Sequence, residues 1–305
     1  MSKALTPSIE EGMTLQYRAY PPDQENHSSD LATSSPSADD PVVILHGGPG
    51  APGEVAPIAR ELARRGFHVL EPFQRSSCTR QAPLTVERHL EDLRAFLIEH
   101  ELHQKHFHLV GFSWGAMLAV IMAARYTDMP YRQVVMISSG TFDQRTRQEY
   151  KGLISRRGGA RQAIDLQALT ARFERGDMTA KEYRLRKLKL IYHASYMVDP
   201  LTDDTEIIDV DIASNEQSWK DMLTLQTRGI YPEGLKNVRC PVHMIHGEQD
   251  PHPGRSTARL LKRYIPHLTL AMLDQCGHYP WFEKYAHEVF FVELEECLRL
   301  SQTSS

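Results

Sequence analysis

FHLVGFSWGAMLAVIMAARY (Phe107–Tyr126) is the stretch on which the fold turns. Phe107–Phe112 reads as a buried strand, and Trp114–Tyr126, apolar nearly all round, as a buried helix. At the seam, Gly111, Ser113 and Gly115 form G-x-S-x-G. A sharp strand-to-helix turn holds such a serine in a strained, exposed position, and glycines on either side tolerate the close packing that the turn demands. The first N–H groups of the following helix favour negative charge at the same place. The plainer alternative is a serine that merely caps a buried helix.

Working outward, the same rhythm repeats. Upstream, PVVILHGGPG (Pro41–Gly50) is a short β-branched strand that ends in a glycine turn. It is followed by a helix over 54–65 closed by Gly66, and a strand over 67–72. Thr85 then opens a second helix. Downstream, Gln133–Gly140 is a strand. After a break, PVHMIHGEQD (Pro241–Asp250) is a strand, 254–265 a helix, 268–273 a strand and 280–300 a terminal helix. Strands alternating with helices give a mostly parallel sheet covered on both faces. Residues 141–238 interrupt it with helical patterns, including capping-box pairs at Thr179/Glu182 and Ser214/Gln217. The organisation expected is therefore an α/β core over 1–140 and 239–305, with an insertion over 141–238. LQYRAY (Leu15–Tyr20) reads as a leading strand, and 21–40 as a flexible loop with little to bury.

The insertion is electrically uneven: 141–193 holds 13 Lys/Arg against 6 Asp/Glu, and 199–221 holds 1 against 8. Either the two halves solvate each other or one of them faces a charged substrate. The whole chain, at 305 residues and net charge −4, does not look like a nucleic-acid binder. It shows neither a secretory h-region nor an apolar run long enough for a membrane span. Cys78, Cys240, Cys276 and Cys297 lack metal or disulfide spacing, so a reduced, cytoplasmic protein is expected. No cofactor is called for, and no metal-ligand motif such as HExxH occurs.

A serine hydroxyl requires a base. In an architecture of this kind the acid and the histidine follow the serine in that order, at the C-terminal ends of later strands. Asp250, after the strand in MIHGEQD, and His278, in MLDQCGHYPW, stand there. His278 would take the Ser113 proton and Asp250 would hold the imidazole. Among 15 histidines, His243 and His252 are rivals, as are Asp274 and Glu248 for the acid. HGGPG follows the strand beside the nucleophile strand and can aim an N–H at a developing oxyanion. Gly48 and Trp114 are the expected donors.

On HGGPG (46–50), GFSWGA (111–116), HGEQD (246–250) and GH (277–278), the chain resembles the α/β-hydrolase fold family, and within it the proline iminopeptidase-like branch. The resemblance implies a helical cap over the active site. It also implies a D-Q-R-G segment where this chain reads EPFQRSSC (71–78), so Gln74 and Arg75 match while Phe73 and Ser76 depart. Members of the branch hold the substrate's amino group with cap glutamates. The candidates here are Glu216 and the neighbouring Trp219, the only tryptophan of the insertion. The function expected is hydrolysis of a small ester or amide through an acyl-enzyme, by an aminopeptidase of that type. The alternatives are a carboxylesterase or lactonase, or a non-hydrolytic ligand binder on the same fold. The partner expected is a small molecule or a short peptide.

Overall fold

The computed structural model describes residues 15–23, 40–75, 84–157, 159–179, 196–201 and 212–300, together with 182, 183, 186, 187 and 190. Most of the loop expected over 21–40, the segment around Cys78 and most of the acidic run after Asp199 lie outside the described residues.

Seven strands form one sheet: β1 (Tyr17–Tyr20), β2 (Val42–Leu45), β3 (Val69–Pro72), β4 (Phe107–Phe112), β5 (Tyr131–Ile137), β6 (Val242–Gly247) and β7 (Thr269–Leu273). Their spatial order is β1-β3-β2-β4-β5-β6-β7. Only β1 runs antiparallel, with Tyr17 opposite Pro72. The other pairings are parallel, for example Val43 with Leu109 and Ile137 with Ile245. β2 and β4 are buried at every position, which is why β2 is a continuous apolar run and β4 is one broken only by the buried His108, rather than alternating.

Among the described residues the helices are α1 (Ala56–Arg64), α2 (Val86–Glu99), α3 (Trp114–Arg125), α4 (Gln144–Arg157), α5 (Gly159–Glu174), α6 (Ile212–Thr227), α7 (Gly254–Leu261) and α8 (His287–Leu300). α3 is buried from Trp114 to Ala124 and belongs to one core cluster with α2 and Leu109, Val134 and Met244 of the sheet. A second cluster gathers α1, α8 and the opposite face of the sheet, Val42, Val110, Val135 and Ile245. Each fully buried Leu, Ile or Met in these layers contributes about 1.5–3 kcal/mol relative to exposure. Among the described residues no helix is long and apolar enough to cross a membrane.

α4, α5 and α6 lie between β5 and β6, where the alternating pattern breaks. Thr179 and Glu182 make the reciprocal capping bonds expected of them. The Ser214/Gln217 box does not mark the start of a helix: α6 begins at Ile212, and the Gln217 amide oxygen accepts the Leu84 N–H at 2.9 Å. The terminal helix also starts later than its apolar pattern suggests. Pro280–Phe282 forms a 3-10 turn, and α8 begins only at His287. The reason is Glu283, whose carboxylate accepts from the N–H groups of Gly277, Val198 and Asp199 and so ties this stretch to the 196–201 segment. Helix α1 likewise starts at Ala56 rather than Glu54, because the Glu54 carboxylate accepts the Gly47 N–H at 3.0 Å.

Candidate active site

The C-terminal ends of β2, β4, β6 and β7 bring the sequence-predicted residues to one edge of the sheet. Ser113 sits between β4 and α3 with φ 52° and ψ −112°, a left-handed conformation that costs a non-glycine residue on the order of 1–3 kcal/mol. What holds it there is packing. The Ser113 N–H donates to Ile137 O of β5 at 2.9 Å. A Cβ on Gly111 would lie 2.2 Å from Gly115 O, and one on Gly115 would lie 2.3 Å from Leu45 O. Both glycines are thus required by close backbone approach, and the serine between them absorbs the turn. Its hydroxyl makes no capping hydrogen bond, so a simple helix-capping role does not describe it, and among the described residues it is not hydrogen-bonded to His278 Nε2 either.

The Asp250 carboxylate, fully buried after β6, meets His278 Nδ1 through Oδ2 at 2.7 Å. That bond places the proton on Nδ1 and leaves Nε2 with a lone pair. The His278 ring lies 4.9 Å from the ring of Phe112, the residue before the serine. Burial lowers the His278 pKa to about 4, against the Asp250 charge that pulls it up, so the imidazole is neutral at pH 7 and free to accept a proton. Burial acts to raise the Asp250 pKa, but His278, His246 and His252 together outweigh it and hold the carboxyl well below the usual range. The rivals separate cleanly. Asp274 is exposed, Glu248 pairs with Arg255, and His243 binds Thr269 Oγ1. His252 does not: its backbone N–H and Nδ1 both meet Asp250 Oδ1, at 2.8 and 3.1 Å.

Asp250, His252 and His278 hold ligand-type atoms within 4.8 Å of one another, a spacing that invites a metal reading. The rings argue against it. They lie 4.7 Å apart and tilted by 30°, and both Nδ1 atoms are already engaged with the Asp250 carboxylate, at Oδ1 and Oδ2.

The glycine loop after β2 supplies the next component. Gly47 N–H is committed to Glu54, while neither Gly48 N–H nor Trp114 N–H has an acceptor among the described residues. Gln74 fixes the two donors relative to each other. Its Nε2 donates to His46 O at 2.8 Å, its Oε1 accepts Trp114 Nε1–H at 2.9 Å, and its backbone N–H donates to His46 Nε2 at 3.1 Å. His46 therefore carries its proton on Nδ1, directed at Gly47 O, and burial lowers its pKa to about 4. Arg75 turns away from the loop and forms a bidentate pair with Asp92, at 2.6 and 2.7 Å.

Helix α6 closes on this loop from the other side. Trp219 Nε1–H donates to Gly48 O at 3.1 Å and Asn215 Nδ2 to Pro49 O at 3.1 Å, while the Trp219 ring meets Trp114 edge-on at 5.3 Å. Trp219 thus supports the loop. Glu216 is exposed and borders, with Trp219, Lys220 and Thr224, an open hollow along α6. Trp281 and Phe282 are buried in the second core cluster. Cys276 is buried, which raises its thiol pKa and leaves it without nucleophilic character at pH 7.

The sequence reading missed several contributors: Tyr150, Tyr196, Asn215, Glu54 and Glu283. Each makes at least one contact across a long sequence separation, Glu54 with the Tyr279 hydroxyl and Glu283 with the Val198 N–H. The crowding of His246, Asp250 and His252 into seven residues was the one local signal, and it is the one the structure develops furthest.

Residues 40–285 match the family model described as alpha/beta hydrolase fold, and the chain belongs to that family. Within it, the chain is 29% identical over 271 residues to a proline iminopeptidase of Clostridioides difficile, covering 85% of this chain and 87% of that one. Two solved structures share the fold. A proline iminopeptidase of Mycobacterium smegmatis superposes with a TM-score of 0.58 at 21% identity, covering 94% of each chain. A thermophilic esterase of Thermogutta terrifontis superposes at 0.59 and 17%, covering 95% of this chain and 94% of that one.

Proposed function

We propose that the protein is a serine hydrolase that cleaves a small ester or amide through an acyl-enzyme. Ser113 Oγ attacks the carbonyl carbon, and His278 Nε2 takes its proton and later hands it to the leaving group. Asp250 holds the imidazole in the Nδ1–H tautomer and stabilises the imidazolium. The N–H groups of Gly48 and Trp114 face the oxyanion, each worth about 3 kcal/mol of transition-state stabilisation. The observation that carries this reading is the 2.7 Å Asp250–His278 bond beside a serine forced into the left-handed region. The insertion serves as a cap over the site.

Two substrate classes compete within this reading. The aminopeptidase reading leans on the C. difficile relative and on Glu216 as the group that would hold a substrate ammonium. A specific observation favours an ester. Of the described carboxylates of the insertion, Asp143, Glu149, Asp177, Glu182 and Asp221 already accept from protein groups, and the wall beside His278 is aromatic, built from Tyr150 and Tyr196. The test is covalent labelling by a fluorophosphonate, followed by a panel of prolyl and other aminoacyl anilides against short acyl esters. Wild-type protein should label and Ser113→Ala should not. Hydrolysis of anilides together with its loss in Glu216→Gln selects the aminopeptidase, and hydrolysis of esters alone selects the esterase. A wild type that neither labels nor turns over any member of the panel would overturn the serine-hydrolase reading in favour of a ligand binder.

A further inference from the structure

His252 takes no part in the steps above, yet it is the second imidazole on the Asp250 carboxylate. The two oxygens are divided. Oδ2 faces His278 at 2.7 Å and His246 Nε2 at 3.1 Å, and Oδ1 accepts both the backbone N–H and Nδ1–H of His252. A carboxylate gripped at one oxygen by two donors cannot turn about its Cβ–Cγ bond without breaking them, so the grip on Oδ1 aims Oδ2 at the base. The ring of His252 is in turn held from outside the core. Tyr150 of α4 stacks on it, with centroids 4.4 Å apart and planes 17° apart. The Tyr150 hydroxyl bonds to the Tyr196 hydroxyl. Tyr196 O accepts the His278 N–H at 2.6 Å, and its ring meets the His278 ring edge-on at 4.9 Å. The circuit Asp250–His252–Tyr150–Tyr196–His278 closes on itself, and two of its five members belong to the insertion.

We propose that His252 is a positioning residue, clamped by Tyr150, through which the seating of the insertion sets the direction of the Asp250 carboxylate and so readies His278 for proton transfer. The inference rests on Ser113, His278 and Asp250 being the reacting group, its base and the acid behind it. When α4 lifts, the stack opens, His252 swings off Oδ1, and the carboxylate is free to turn away. The base then loses its orientation while the substrate contacts stay in place, so the loss falls on kcat rather than KM.

The experiment uses the full chain, a turned-over ester or anilide, and four variants. His252→Phe keeps a ring on Tyr150 and removes the Nδ1 donor. His252→Asn places an amide N–H near the Nδ1 position without the stack. Tyr150→Phe keeps the stack without the hydroxyl link, and Tyr150→Leu removes both. The expected result is a fall of about tenfold in kcat for His252→Phe with KM within about twofold, the size of losing one bond to a charged acceptor. The acid limb of kcat/KM should move upward in that variant, because the Asp250 charge then acts on His278 undivided. The groups facing that pair are His246, Tyr150, Tyr196, Tyr279 and Arg157 of α4, whose guanidinium donates to Gln249 O, so the limb reports the set. His252→Asn should recover part of kcat, and Tyr150→Leu should lose more than Tyr150→Phe. Wild-type kcat and an unmoved acid limb in His252→Phe overturn the inference. Should that variant fail to fold, Tyr150→Leu against Tyr150→Phe decides: equal kcat in both and in the wild type overturns it, and a graded loss at unchanged KM supports it. Fluorophosphonate labelling of the wild type separates the two levels, since an unlabelled wild type removes the serine reading itself, whereas a labelled one with indifferent variants removes only the role of His252.

Discussion

Gln74→Leu is the substitution that most directly tests how the oxyanion donors are held. Leucine fills a similar volume and leaves the backbone bond from residue 74 to His46 Nε2 in place. It removes two side-chain bonds, the one donated to His46 O at 2.8 Å and the one accepted from Trp114 Nε1 at 2.9 Å. His46 and Trp114 are both fully buried, so neither orphaned group reaches water. Each unsatisfied buried group costs about 1–3 kcal/mol, which puts the pair near 4 kcal/mol. In a chain of this size about 1 kcal/mol moves Tm by roughly 2–4 °C, so the expected drop is about 8–16 °C. The activity should fall separately. Trp114 anchors one proposed oxyanion donor, and full loss of such a donor costs about 100-fold or more in kcat. A donor displaced rather than deleted should cost about tenfold, with KM nearly unchanged. Gln74→Glu is the informative partner: it keeps the acceptor for Trp114 but sets a carboxylate oxygen against the His46 carbonyl, so it should lose stability while keeping more of kcat. Thermal melts followed by near-UV circular dichroism, with steady-state ester hydrolysis, read both quantities. A Gln74→Leu protein that melts within about 2 °C of wild type at full kcat would refute the latch.

Two further predictions concern stability. Burial holds His46, His108 and His278 at about 4 and His89 at about 3, all lowered from 6.5. The unfolded chain therefore takes up protons below about 6.5 that the fold refuses, and stability falls as pH drops. Glu54, raised to about 7 by burial, has the opposite sign, because the fold accepts its proton before the unfolded chain does. Asp250, held low, changes stability only below this window. Between pH 7.5 and 5.5 the four histidines remove about 5 kcal/mol and Glu54 returns about 2 kcal/mol, a net loss near 3 kcal/mol. Calorimetry should show Tm lower by about 6–12 °C at pH 5.5, and a rise would contradict the sign. Gly115→Ala, whose Cβ would sit 2.3 Å from Leu45 O, should destabilise by about 3 kcal/mol and abolish labelling of Ser113, read by denaturant titration and mass spectrometry.

The parallel sheet was legible because buried parallel strands leave near-continuous apolar runs, as in Val42–Leu45 and Phe107–Phe112, and each ends in a recognisable turn. Gly111 and Gly115 were legible for the same local reason. Helix ends were less so. Nothing near Pro280 announces that Glu283 will be drawn to the N–H groups of Val198 and Asp199, some 85 residues upstream, and so delay α8 to His287. Gln74 showed only as a fragment of a familiar motif, because its work is done by bonds to His46 and Trp114, 28 and 40 residues away. Hydrophobic period reports which face is buried, and it carries no record of which polar groups meet across the site.

Those long-range bonds bear on what the insertion does. It touches each arm of the proposed machinery at a separate point: α6 holds the carbonyls of Gly48 and Pro49, α4 presses Tyr150 on His252 beside Asp250, and the 196–201 segment accepts the His278 N–H. A cover that only excluded water would need apolar contact and nothing more. Here it supplies side-chain donors to the oxyanion loop, a stacked ring beside the acid and a backbone acceptor to the base, and that last contact, from His278 N–H to Tyr196 O, is one that no side-chain substitution removes. Deleting the insertion would therefore leave the serine elbow intact, since Gly111, Gly115 and Ile137 O hold it from within the core, and would leave His278 to Asp250 alone and the glycine loop to Gln74 and Glu54 alone.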